Sequence, residues 1–312
     1  MADRAALVAH ARRTIAAGSK SFAAASRLFD ARTRERAQLL YAWCRACDDI
    51  ADGQVLGHGA SAVQDATARL SRMRMLTAKA LAGEETGDLS FDCLGVVAAE
   101  TGLPHRYAHD LIDGFALDAQ EWRPRSEDDL LRYCYHVAGT VGCMMAVVMG
   151  VAPDDEAVLD RACDLGIAFQ LANIARDISE DDVIDRCYLP VEWLVEVDIP
   201  PGEHMKPPFR PRLAVLARRL SGMAERYEAS ARTGTKALPF RSAWAVLAAA
   251  GIYGDIAREV AARGPRAWDR RVTTSNADKL GWVVTAGWQA MRRRSFPDAS
   301  RDGLWTRGPA TL

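Results

Sequence analysis

The chain carries almost no net charge: 40 Lys and Arg stand against 41 Asp and Glu, a formal −1 over 312 residues. Without a basic surplus there is no electrostatic footprint for nucleic acid, and the arginines are interleaved with acids. Apolar–polar alternation at a period of two is nearly missing, which excludes a sheet-built protein. Neither a solenoid period nor a low-complexity tract divides the chain. The opening residues, MADRAALVAHARR, place charges where an apolar leader core would sit. The seven cysteines are therefore expected to be reduced in a cytoplasmic protein, and Cys44-Arg45-Ala46-Cys47 lacks the second pair that a zinc site needs. Residues 133–153 contain no Asp, Glu, Lys or Arg and match a membrane span in length. Their Tyr133, Tyr135, His136, Gly139, Thr140, Gly142 and Gly150 suit a central helix buried on all sides better than one facing lipid.

What is present is helix. Apolar residues make up 49% of the chain, and Ala, Leu and Arg recur near a 3.6-residue period. Helices are expected at about 3–17, 32–52, 61–82, 88–100, 104–118, 126–150, 154–178, 190–195, 211–230, 238–263 and 275–293. Asp30, Gly53, Asp88, Gly102, Ser126 and Pro153 punctuate them, and five prolines mark the loop from Ile199 to Pro211. The fold class is all-α: a single domain over 1–294, with 295–312 expected to be a flexible tail.

Two acid-rich segments stand out. Asp48 and Asp52 lie four apart, and Asn173, Asp177 and Asp181 lie at i, i+4 and i+8. Residues at that spacing share one helix face, so each segment stacks like charges or oxygens that repel unless a cation sits on them. Facing each other, they would form an oxygen-lined site for Mg²⁺, which recruits substrate phosphates as its remaining ligands. Tyr41 and Arg45 continue the first column, and the alternative there is a solvated face of Arg–Asp pairs. Gln170, Arg176 and Glu180 continue the second, in a segment also holding Leu165, Ile167, Phe169, Leu171 and Ile174. Buried acids are costly unless paired or metal-bound, so that stripe is the stronger signal. Ser19, Lys20, Ser21 and Phe22 offer hydroxyls and an ammonium near a helix end, where free N–H groups favour phosphate. The G-x-G-x-x-A run from Gly57 follows an acidic helix rather than a strand and is discounted as a nucleotide site, and His58 and His136 lack zinc spacing.

These residues resemble the squalene/phytoene synthases, which join two prenyl diphosphates head to head. Tyr133-Cys134-Tyr135-His136-Val137-Ala138-Gly139-Thr140-Val141-Gly142 looks like that family's first signature. Leu165-Gly166, Gln170, Asn173, Arg176-Asp177, Asp181 and Arg186-Cys187-Tyr188-Leu189-Pro190 look like the second. With residues 19–22, the Tyr41-to-Asp52 stripe and Ile252-Tyr253, the likeness covers about residues 15–290 and is greatest to bacterial phytoene synthases of carotenoid pathways.

The resemblance implies an isoprenoid-synthase helical bundle around a large central cavity, and condensation of two geranylgeranyl diphosphates to phytoene through prephytoene diphosphate. It implies that Asp48, Asp52, Asn173, Asp177 and Asp181 hold Mg²⁺ or Mn²⁺, with no NADPH. Arg45, Arg176 and Lys20 would steady the diphosphate, and Tyr41, Tyr133 and Tyr253 would face the carbocations. Ser19, Ser21, Gln170, Arg186 and Tyr188 join the substrate-binding set, while Phe22, Val137, Ala138, Gly142, Met145 and Leu171 would line the hydrocarbon tunnel. Small residues around 139–142 would leave room for long tails. An insoluble product further implies peripheral contact with the inner membrane face, aided by Arg292-Arg293-Arg294, and a downstream desaturase as partner. The alternatives are a C30 dehydrosqualene- or squalene-type synthase, or a non-catalytic lipid-binding or assembly relative.

Overall fold

The 28-residue helix α8 (Glu156–Val183) forms the axis of the molecule, seen in a computed structural model that describes residues 3–18, 25–52, 66–120 and 122–308. Before it come α1 (Arg4–Gly18), α2 (Ala31–Asp52), α3 (Ala66–Leu81), α4 (Leu89–Thr101), α5 (Arg106–Ala119), α6 (Glu127–Cys134) and α7 (Thr140–Val148). After it come α9 (Val191–Glu196), α10 (Arg210–Gly234), α11 (Phe240–Arg263) and α12 (Asn276–Arg292). Among the described residues there is no strand. No described helix is long and apolar enough to cross a membrane. The uncharged 133–153 segment instead lies at the centre, with Tyr133, Cys134, Tyr135, Cys143, Met144 and Ala146 to Met149 buried.

Local chemistry sets the helix ends as the sequence foretells. Ser126 and Asp129 form a reciprocal capping box on α6, Asp88 accepts from the Ser90 amide at 2.9 Å, and Gly102 closes α4 with φ 66°. Two differences bear on the site. Helix α8 continues to Val183 rather than stopping near 178, so one rod carries the whole second acid column. The expected 126–150 helix is interrupted at Tyr135–Gly139 by a π-helical turn, in which the Thr140 amide reaches back to the Tyr135 carbonyl. His136 Nδ1 bonds the Asp110 carbonyl at 2.8 Å, and the Tyr135 hydroxyl donates to the Asp110 carboxylate, fastening this turn to α5.

α8 packs on α7, α10, α11 and the π turn. The α7–α8 crossing is unusually close. A Cβ on Gly142 would stand 2.2 Å from the Ala162 carbonyl oxygen, and one on Gly166 would stand 2.2 Å from that of Ala138. The small residues around 139–142 thus admit a neighbouring backbone, which corrects the expectation that they leave space for substrate tails. Gly142→Ala or Gly166→Ala is expected to cost about 1–3 kcal/mol of stability by prying the helices apart. A thermal melt that matches the parent would contradict this.

The segment after residue 294, expected to fray, is tied to the bundle through residue 307. Arg301 pairs with Asp164 (Nε–Oδ2 2.7 Å, Nη2–Oδ1 2.9 Å) and with Asp160 at 3.1 Å. Arg307 pairs with Asp160 at 2.6 Å and with Glu156. The Trp305 amide donates to the Tyr227 hydroxyl at 3.0 Å, and its ring lies 5.5 Å from that of Tyr135. Glu156, Asp160 and Asp164 therefore form a further acid column on α8, satisfied by arginines from the chain's far end.

Candidate active site

Between Cys163 and Ile178 most positions of α8 are buried, and the exceptions Leu165, Phe169, Gln170, Asn173, Arg176 and Asp177 are half-buried and follow the helical repeat as one seam that Asp181 continues. Tyr41, Arg45, Asp48 and Asp49 make a matching seam on α2, flanked by buried Leu40, Trp43 and Cys47. Val137, Ala138, Val141 and Met145 make an apolar one along the π turn and α7. The expected lining residues Val137, Ala138 and Met145 thus stay accessible on an otherwise enclosed segment. Leu171 does not: it is 0% exposed inside the core, one position round the helix from Gln170. Phe169 takes the accessible place instead, stacked on Tyr253 with ring centroids 4.2 Å apart.

The first group of side chains sits where α1 ends against α2. A Cβ on Gly18 would lie 2.6 Å from the Tyr41 hydroxyl and 3.7 Å from Arg45 Cδ. The end of α1 therefore lies beside this seam. Ser19, Lys20, Ser21, Phe22 and the run from Gly57 lie outside the described residues, as does the side chain of Asp52. Arg45 binds Asp49 at 2.7 Å and Asp48 at 3.0 Å. Burial opposes its charge, but the Asp49 hydrogen bond and both carboxylate fields keep it firmly protonated. Burial likewise pushes the Tyr41 hydroxyl up.

The second group centres on Asp177. Arg176 grips it with two bonds of 2.7 and 2.5 Å, and Arg271 approaches from the loop after α11 at 2.7 Å. Burial works against the Arg176 charge, and Asp177, then Tyr253, outweigh it. Asp181, one turn on, has its carboxyl pushed up to about 7, first by burial and then by Asp177, with Glu180 and Asp118 adding to the effect.

The third group collects on Asp118, near the end of α5. It accepts from the Tyr133 hydroxyl at 3.1 Å and from the Tyr188 hydroxyl at 2.9 Å. Tyr188 stacks on Tyr133 at 4.8 Å, and Trp122 stacks on its other neighbour side at 5.7 Å. Arg186 lies near enough to favour the Asp181 anion, and its amide bonds the Asp181 carbonyl at 2.9 Å. Asp181 therefore joins the second and third groups. Helix α2, which bears the first, packs directly on α5 and α7.

Arg271, Asp118, Asp49, Phe169 and Trp122 are additions that the sequence did not single out. Arg271 and Asp118 reach their partners from about 90 and 15 residues away, so no local spacing announces them.

Among the described residues no three His, Cys, Asp or Glu side chains are gathered tightly enough to hold a metal by themselves. The donors along the two acid seams are carboxylate and amide oxygens, and Asp181 is a buried acid short of positive charge. That set fits a hard divalent cation of the Mg²⁺ kind, which takes one or two carboxylates and completes its shell with water and phosphate.

A profile of the squalene/phytoene synthase family matches residues 15–278. The chain is 48% identical to the phytoene synthase of Pseudescherichia vulneris, spanning 96% of this chain and 98% of that one. It is 46% identical to the 15-cis-phytoene synthase of Pantoea ananas, with the same coverage. In fold it is similar to a crystallised dehydrosqualene synthase, with a TM-score of 0.82 at 24% identity over 94% of this chain and 98% of that one. Squalene synthase HpnC from Alicyclobacillus acidocaldarius gives a TM-score of 0.73 at 22% identity, over 83% and 94%.

Proposed function

The chain belongs to the squalene/phytoene synthase family, and we propose that it joins two geranylgeranyl diphosphates head to head to give phytoene. The observation that carries the reading is the half-buried seam of Asn173, Arg176, Asp177 and Asp181 on a helix whose middle is largely buried, met by Arg271. Relatives at 46–48% identity named phytoene synthase support C20 substrates over C15. The dehydrosqualene synthase likeness lies at 24%.

Asp48, Asp52, Asn173, Asp177 and Asp181 would hold divalent ions, Mg²⁺ or Mn²⁺, whose charge makes diphosphate a better leaving group. Arg45, Arg176, Arg271 and Lys20 orient the diphosphates. Because Asp177 holds the Arg176 fork in plane, that cation is fixed before substrate arrives. Departure takes the C–O electron pair onto diphosphate and leaves an allylic cation, which the double bond of the second substrate attacks. Loss of a proton closes the cyclopropane of prephytoene diphosphate, and departure of the second diphosphate and a second proton gives phytoene. Tyr41, Tyr253 and Phe169, the last two stacked 4.2 Å apart, would stabilise positive carbon, and Tyr133 is steadied by Asp118. Val137, Ala138, Val141 and Met145 supply a water-poor wall, which keeps the cation from capture as an alcohol. A hydrocarbon product calls for peripheral contact with a membrane, on the cytoplasmic face.

Incubation with geranylgeranyl diphosphate and Mg²⁺ is expected to yield phytoene, with and without NADPH, and none after chelation. A C30 product made preferentially from farnesyl diphosphate, or no hydrocarbon at all, would overturn the reading.

A further inference from the structure

Helix α12 turns its small residues inward. Ala286 and Ala290 are buried, Gly287 sits against Trp244, and Trp282 fills the space beside Gly251 of α11. Its large apolar residues point the other way: Leu280, Val284 and Met291 are 66%, 67% and 67% exposed, and Trp288 is 48% exposed. At 100° per residue these four fall within an arc of about 80°, and Ala277 and Gly281 fall in or beside it. A surface helix of a soluble protein ordinarily puts polar residues there. Single exposed apolar side chains need no explanation, whereas a continuous stripe marks a surface that something covers.

The charge at the stripe's end says what. The exposed Arg292 guanidinium lies over the Trp288 ring at 5.1 Å, and Arg294 is exposed beside it. Arg293 turns inward to the Ala290 and Leu238 carbonyls. Phe296 sets its edge on Trp288 at 6.0 Å and lengthens the apolar surface. The only acid of α12, Asp278, lies at the opposite end and is engaged in the Ser275 cap. In a chain of net charge −1, this is a local pairing of arginine with an aromatic–aliphatic stripe. That is the composition of a helix lying in a lipid headgroup layer, where tryptophan and arginine bridge the apolar and anionic zones.

We infer that the outward face of α12 docks on a membrane surface bearing anionic headgroups. Leu280, Val284, Trp288 and Met291 sit at the headgroup–acyl boundary, and Arg292 and Arg294 rest on the phosphates. The inference rests on the peripheral-membrane reading proposed above and assigns it to one helix. The placement suits isoprenoid traffic: the loop carrying Arg271 runs straight into α12, and Trp282 packs two residues from Tyr253.

The test is sedimentation of the full chain with phosphatidylcholine vesicles, with and without phosphatidylglycerol. The parent is expected to bind the anionic vesicles. Leu280→Glu/Val284→Glu should lower partitioning about tenfold or more, since both side chains would lose an apolar environment. Arg292→Glu/Arg294→Glu should lower it about fivefold per arginine and remove the preference for phosphatidylglycerol. Melting temperature and turnover of detergent-dispersed substrate should stay near the parent in both, because none of these residues touches the site. A parent that binds no vesicle overturns the membrane reading as a whole. A parent that binds, with both variants binding equally well, overturns only the assignment to α12. A parent that sediments as a dimer, split by the Leu280/Val284 change, gives the face to a second copy and also overturns it.

Discussion

Asp177→Asn is expected to lower hydrocarbon formation about a thousandfold while moving the melting temperature by no more than a few degrees. The carboxylate stands between Arg176 and Arg271, both at bonding distance, so its loss removes an oxygen donor and also unfastens the two cations proposed to hold diphosphate. The stability cost is small because both pairs are partly open to solvent, where such bridges contribute about 1 kcal/mol or less. Asp48→Asn should act in the same direction, with Arg45 still held by Asp49 at 2.7 Å. Turnover and a thermal melt on the same samples decide the matter. Parent-like turnover would remove Asp177 from the chemistry, and a melt that collapses with activity would make its role structural.

The largest effect on stability is expected at Arg301. Asp164 is 0% exposed, and its carboxylate is held by Arg301 through two bonds and by the Ser230 hydroxyl at 2.5 Å. Arg301→Ala would strand a buried anion, at a cost of about 3–5 kcal/mol. Adding Asp164→Asn should restore part of the loss, since the two changes share one interaction. The pH dependence has a definite sign. Burial already raises the Asp164 pKa despite Arg301, and removing Arg301 raises it further. A carboxyl whose folded pKa lies above its unfolded value loses stability as pH rises from the unfolded to the folded pKa. The variant should therefore weaken more steeply than the parent as pH rises above the ordinary aspartate range. Chemical unfolding across that window, with equal slopes in both proteins, would refute the pairing argument.

Both results turn on the same rod and on a limit of sequence reading. Asn173, Asp177 and Asp181 were legible because their spacing puts them on one face and their neighbours are apolar. Glu156, Asp160 and Asp164 have the same spacing on the same helix and went unremarked. The two columns differ in what meets them: arginines from residues 301 and 307 close the first half of α8, while Arg271 reaches the second and leaves Asp181 under-compensated. Those partners arrive from 90 to 150 residues away, where no periodicity reports them. The same applies to Asp118, which gathers one tyrosine from α6 and another from the loop after α8. Helix existence and capping were legible because Ser126, Asp88 and Gly102 act on their immediate neighbours. Leu171 was misplaced because a 100° step separates it from Gln170, and composition alone cannot tell an enclosed face from an accessible one.

The π turn between α6 and α7 makes residue number, and not only residue type, a determinant of this molecule. One extra residue per loop of the spiral rotates everything downstream, so Tyr133 is aimed at Asp118 while Met145 keeps to the apolar seam. Were the same residues wound as an uninterrupted α-helix, the following segment would swing through about 100°. Gly142 would then face away from Ala162, and bulkier neighbours would meet the carbonyl that only a missing side chain can pass. That single widened turn therefore sets which side of α7 meets α8.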